Sequence, residues 1–281
     1  MSYGITVRVI RRLARSRRDL LEAFVLANLA FLVLDVFLAH SVNDFRHWAE
    51  WLPFAFSIVA TLLLAASLPG RRRTVRGSYP YRAGILVGAG AIALGVAGVA
   101  YHLESQFFSQ WTIRSLVYTA AFAAPLAYAG FGFLLLVNRM VPDETGEWAW
   151  YVRFFALGGF LGICVLALCG HAQNGFFYVS EWWPVVASAL AVGYMATALT
   201  DRGGPFARIC LAVLGMQAVV GLVGFYLHVA ADINGLSASL YENFVHGKPV
   251  FAPLLLVDLA LLAAIGLMPP IGDGPEHGGP T

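Results

Sequence analysis

The 281-residue sequence predicts an all-α, polytopic membrane protein with eight transmembrane helices built as two tandem four-helix repeats. Three observations carry that expectation. The chain is 59% hydrophobic and only 12% charged, with a mean hydropathy of +0.72, a composition outside the range of water-soluble domains. Eight apolar stretches qualify as spans by the roughly 20 residues that a helix needs to cross the hydrocarbon core. Finally, His40, Asn43, Phe45, Glu50, Trp51, Pro53 and Ser57 return as His171, Asn174, Phe176, Glu181, Trp182, Pro184 and Ser188, each displaced by 131 residues without a gap.

A second match extends the repeat. Gly95-x-x-Gly98-x-x-x-His102 recurs as Gly221-x-x-Gly224-x-x-x-His228, and Ala124-Pro125-Leu126 as Ala252-Pro253-Leu254. These are mostly polar or conformationally special residues, which hydrophobic composition alone would not bring into register. The expected spans lie near 20–40, 51–69, 83–103, 114–137, 150–171, 182–199, 206–228 and 250–268. The chain then divides into a basic cytoplasmic segment (1–19), a first four-helix repeat (20–138), a cytoplasmic linker (139–149), a second repeat (150–268) and a disordered, Gly/Pro-rich cytoplasmic tail (269–281) that carries His277. The first apolar stretch is full length and follows many arginines, so it reads as a span and not as a cleavable signal.

Basic residues set the orientation. Arg8, Arg11, Arg12, Arg15, Arg17 and Arg18 precede the first span, and Arg71, Arg72, Arg73, Arg76 and Arg82 lie between the second and third. Arg139, Arg153, Arg202 and Arg208 flank the later loops on the same side, which leaves Arg46, Arg114 and Lys248 opposite, so 15 of the 18 basic residues share one face. The positive-inside rule makes that face cytoplasmic, with both termini inside, and points to a multi-pass protein of the plasma (inner) membrane. The basic segment also suits anionic lipid headgroups. No nucleic-acid partner is indicated.

With that orientation His40, His102, His171 and His228 end the four odd-numbered spans at similar depth near the external face, and His47 and His246 lie in external loops. Most of the repeated residues have ordinary structural explanations. Asn43 and Asn174 suit a left-handed helix cap, Pro53 and Pro184 start a helix, and Glu50 and Glu181 complement its dipole. Trp51 and Trp182 suit the membrane interface, and the serines and paired glycines let helices approach closely. Histidine is different. A helix C-terminus favours any cation, yet neither lysine nor arginine is used at these four positions, and imidazole is distinctive as a metal or haem ligand and proton carrier.

Other polar residues at membrane depth are few. Asp35 is five residues before His40, where a carboxylate can orient an imidazole of a neighbouring helix; Asp258 lies within the eighth stretch; neither repeats. Arg114 faces Glu104, Glu50 or an anion as candidate partners. The external segment from Val229 to Lys248 is either a surface loop packed on the bundle or a lid over the site. Cys164, Cys169 and Cys210 form no disulfide framework, because a bridge within one helix has poor geometry.

Three function classes remain. In the first, a redox-type protein, His40 with His102 and His171 with His228 each ligate one haem b. Alternatively, the four histidines with Glu50 and Glu181 hold Zn, Fe or Cu. In overall plan this resembles haem A synthases, which likewise join two four-helix bundles with paired external-side histidines, and the resemblance implies one haem site per half. The cysteine-bearing first external loop of that family is not found here, and these histidines end different helices. The second class is a small-solute or proton-linked transporter resting on Asp35 and Asp258. The third is a non-catalytic subunit whose external loops meet a membrane or periplasmic partner. No phosphate loop, haem-attachment motif, zinc helix or nucleophile elbow occurs, so no catalytic residue is assigned.

Overall fold

The computed structural model describes residues 17–67, 75–200 and 204–268; the arginines of the N-terminal segment up to Arg15, Arg71 to Arg73, Arg202 and the tail with His277 lie outside them. Among the described residues the chain is all helix, with no strand. In order come α1 (Arg17–Ser41), α2 (Trp51–Ser67), α3 (Tyr79–Glu104), the short α4 (Phe107–Gln110) and α5 (Ile113–Tyr118), and α6 (Leu126–Met140). These are followed by α7 (Gly146–Ala172), α8 (Trp183–Ala198), α9 (Gly204–Ile233), the short α10 (Leu240–His246) and α11 (Leu254–Leu267). A 3₁₀ turn leads directly into α2 (Trp48–Glu50) and into α8 (Val179–Trp182); the repeated Glu-Trp pair lies at this junction in both halves, with the helix opening at Trp51 in the first and one position later, at Trp183, in the second.

Five helices are long and apolar enough to cross a bilayer: Arg17–Ser41, Trp48–Ser67, Tyr79–Glu104, Gly146–Ala172 and Phe206–Ile233. The other three expected spans are shorter. α8 has 16 residues, α6 has 15 and α11 has 14, and at 1.5 Å per residue α6 and α11 reach only about 22 Å of a core about 30 Å thick. The cause is local. Pro125 and Pro253 sit at the N-caps of α6 and α11; proline supplies no N–H to a helix passing through it, so each apolar stretch breaks there into turns and one short helix. Hydropathy does not register such a break, because both sides of it are equally greasy.

The long helices pack into two groups of four, α1–α2–α3–α6 and α7–α8–α9–α11, each closed by contact of its last helix with its first. Close approach depends on glycine. A Cβ on Gly95 would sit 2.8 Å from the Pro125 carbonyl and 2.7 Å from the Ala129 nitrogen, and one on Gly221 would sit 2.8 Å from the Pro253 carbonyl. Gly98 and Gly224 lie against the rings of the same two prolines. Contacts between the groups come in matched pairs: α6 meets α7 as α11 meets α1, and α5 meets α7 as α10 meets α1.

At the arginine-bearing end a buried polar knot joins the groups. Glu22 of α1 takes a bidentate ion pair from Arg139 of α6 at 2.6 and 2.7 Å, with both side chains fully buried. Asn138 adds a bond to Glu22 at 3.1 Å, and Arg139 Nε reaches the Pro80 carbonyl at 3.2 Å. Arg17 lies 5.1 Å over the buried Trp148 of α7 and donates to the carbonyls of Met268 and Asp143, while Arg18 pairs with Asp143 at 2.7 Å. Arg139 and Arg153, counted from sequence among the basic residues that flank the later loops, are both buried at 3% exposure. The partner of Arg139, Glu22, is 117 residues away in sequence.

Candidate functional site: two pairs of imidazoles

His40, His102 and His171 lie in the last turn of their helices and His228 lies five residues before the end of α9, all toward the end opposite the arginine knot. They come together in twos. His40 of α1 and His102 of α3 have ring centres 6.3 Å apart with planes at 78°, and His171 of α7 and His228 of α9 have ring centres 6.5 Å apart at 77°. All four are half-buried.

The non-helical segments before α6 and α11 orient one ring of each pair. His102 Nδ1 is 3.0 Å from the Ala121 carbonyl and His228 Nδ1 is 3.0 Å from the Pro249 carbonyl. A carbonyl only accepts, so Nδ1 carries the proton and donates, which leaves Nε2 of the neutral ring with its lone pair. Each carbonyl also accepts a main-chain N–H, from Ala124 and Ala252 at 3.0 and 3.1 Å, so the turns before α6 and α11 fix the orientation of the two rings; irregular backbone within a bilayer is tolerated where protein buries it or where it lines a cavity.

The loops after α1 and α7 are tight and alike. Phe45 N–H donates to the His40 carbonyl at 3.4 Å and Phe176 N–H to the His171 carbonyl at 3.1 Å. The left-handed residues are not Asn43 and Asn174, as their type suggests, but Asp44 (φ 54°) with Phe45 (φ 51°), and Gly175 (φ 69°) with Phe176 (φ 52°). A phenylalanine in that region costs about 1–2 kcal/mol. The strain aims each ring inward: Phe45 lies 5.9 Å from the His40 ring and 4.5 Å from Trp51, and Phe176 lies 6.1 Å from His171 and 3.9 Å from Trp182. Trp51 and Trp182 are themselves half exposed.

The carboxylates differ between halves. Glu50 accepts from Asn43 at 3.3 Å and from the His47 N–H at 3.4 Å, while the His47 ring caps the 3₁₀ turn. Glu181 turns toward His171, with Oε2 4.0 Å from Nδ1, and no side-chain bond joins it to the exposed Asn174. Among the described residues no three His, Cys, Asp or Glu side chains gather closely enough to hold a metal ion. Hence the four imidazoles and two glutamates do not form one common centre; the arrangement is two separate pairs.

The remaining candidates fall elsewhere. Asp35 makes no hydrogen bond to an imidazole; that orienting role is taken by the Ala121 and Pro249 carbonyls, which no side-chain pattern advertises. Arg114 is exposed, pairs with neither Glu104 nor Glu50, and lies 6.0 Å over the Tyr118 ring. Asp258 accepts from Asn28 of α1 at 2.9 Å, far from the imidazoles along the helix axis. The Val229–Lys248 segment is packed and internally bonded: Asp232 accepts from the Lys248 N–H at 2.8 Å, and buried Asn243 brackets Ser237 at 3.0 Å twice. The three cysteines are free thiols. A groove of about 550 Å³ lies not at the imidazoles but along α8, between Val185, Leu190, Tyr194 and Phe206; it is apolar and open sideways, as expected where lipid tails pack.

No family model, no curated protein and no solved structure matches the chain. The chemistry must therefore be read from the imidazole pairs themselves.

Proposed function

We propose that the chain is an eight-span membrane protein made of two homologous four-helix halves, with both termini cytoplasmic, and that each half holds one haem between its imidazole pair near the external face, for one-electron transfer. The spacing of the rings carries this reading. Two imidazoles bound through nitrogen on opposite sides of one metal ion, at about 2 Å per bond, have ring centres about 6.3 Å apart, and the pairs lie at 6.3 and 6.5 Å.

The donor count favours haem over a bare ion. A structural zinc site takes four protein ligands and a catalytic one three, whereas each pair here offers two. A tetrapyrrole brings four equatorial nitrogens of its own and needs only axial ligands, and bis-histidine ligation supports electron transfer because it leaves no open position on the iron. In this reading His102 and His228 are held by their carbonyl bonds with Nε2 free, His40 and His171 are backed by Phe45 and Phe176, and the apolar helices exclude water. The duplication is supported by the recurrence of the imidazole pair, of its carbonyl bond and of the Phe–His and Gly–Pro contacts at the shifted positions, and by the matched contacts between groups.

The test is spectroscopic. Full-length protein purified from haem-supplemented cells should show a Soret band of low-spin bis-histidine type and close to two haems per chain. Protein that inserts in the membrane but carries neither haem nor stoichiometric transition metal would end this reading.

A further inference from the structure

We infer that Asp258 is a proton-binding site at mid-depth in the seam between the two groups of helices. The inference stands apart from the haem reading. Asp258 is ten residues from Met268, whose carbonyl is bonded to Arg17, and Asn28 is eleven residues from Arg17. At 1.5 Å per residue both lie about 15 Å from the arginine knot, halfway through a core about 30 Å thick.

At that depth an ionised carboxylate is unfavourable unless a cation offsets it. Among the described residues none pairs with Asp258. The hydrogen-bond partner of Asp258 is Asn28, whose Nδ2 donates to Asp258 Oδ1 at 2.9 Å and to the Phe24 carbonyl at 3.0 Å. Along α1 the titratable groups on either side of Asn28 are Glu22, six residues toward the knot and paired with Arg139, and Asp35, seven residues toward His40. Among the described residues of α7, α8 and α9, no charged side chain forms an ion pair or hydrogen bond with Asp258.

Asn28 also decides between a proton and an alkali cation. Both of its acceptors, a carboxyl oxygen and a main-chain carbonyl, require the amide nitrogen to face them, so the amide oxygen points away. A sodium site would need that oxygen and several others turned inward. The amide N–H bond goes to Oδ1 and leaves Oδ2 to carry a proton; the apolar depth, and not that bond, is what holds the proton there. Phe31, three residues from Asn28 toward His40, meets Phe251 with ring centres 4.7 Å apart.

The full-length protein in nanodiscs tests this with two readouts, mass mapping after treatment with a hydrophobic carbodiimide, which reacts with protonated carboxyls in bilayers, and the infrared band of the protonated carboxyl. The expected result is an adduct on Asp258 in the wild type, undiminished by excess sodium, and loss of both adduct and band in Asp258→Asn, whose amide preserves shape. Asn28→Leu should keep the adduct and shift the band. Absence of an Asp258 adduct in the wild type, its suppression by sodium, or an infrared band unchanged in Asp258→Asn would overturn the inference; the wild-type mapping decides even if the variant fails to fold.

Discussion

Removing Glu22 should be among the most damaging single changes in the protein. Glu22 and Arg139 are fully buried and share two bonds at 2.6 and 2.7 Å, and Asn138 adds a third to the same carboxylate. In Glu22→Ala the guanidinium keeps its place, because Gly84 packs directly against it, but retains only the Pro80 carbonyl at 3.2 Å. Leaving one member of a buried pair uncompensated costs about 3–5 kcal/mol. Glu22→Gln, which keeps shape and one acceptor, should lose less, about 1.5–3 kcal/mol. The diagnostic variant is Glu22→Leu/Arg139→Leu: with both charges gone the desolvation penalty goes too, so the double variant should be more stable than either single one. Reversible unfolding in mixed micelles gives the free energies. A loss below about 1 kcal/mol in Glu22→Ala, or a double variant whose cost equals the sum of the two singles, would refute the assignment of a tightly coupled buried pair.

Three further outcomes follow from the same geometry. His171→Ala and His228→Ala should each remove about one of two haems while leaving the His40/His102 spectrum in place, and His102→Ala should do the reverse; equal loss from both halves in any single variant would contradict separate sites. Gly95→Ala and Gly221→Ala place a methyl against main-chain atoms of Pro125, Ala129 and Pro253 and should each cost about 1–3 kcal/mol, whereas Gly130→Ala, with nothing within 4 Å, should be close to neutral; thermal unfolding of the three variants decides. In a chain freed of its three cysteines, Asn43→Cys and Asn174→Cys should react with an impermeant thiol reagent added outside, and Arg76→Cys and Glu144→Cys only after the membrane is opened. One position on the wrong side would overturn the orientation.

Composition and hydropathy by themselves determine that the chain is helical and suited to a bilayer, because in lipid main-chain hydrogen bonds are satisfied only within helices or closed barrels, and barrel strands are short and alternate in polarity where these apolar runs are long and unbroken. The 131-residue recurrence also singles out the residues that gather at one end, since His40 and His171 hold their places while the greasy positions around them drift. Where α6 and α11 begin was decided by Pro125 and Pro253, residues present in plain sight but silent in a hydropathy profile. The imidazole partners were not legible either: Ala121 and Pro249 act through main-chain carbonyls, and every residue has one. Nor could pattern pair Glu22 with Arg139, or Asn28 with Asp258 across 230 positions, because along an apolar helix the side chain that faces a buried partner and the one that faces lipid look alike until the neighbouring helix is in place.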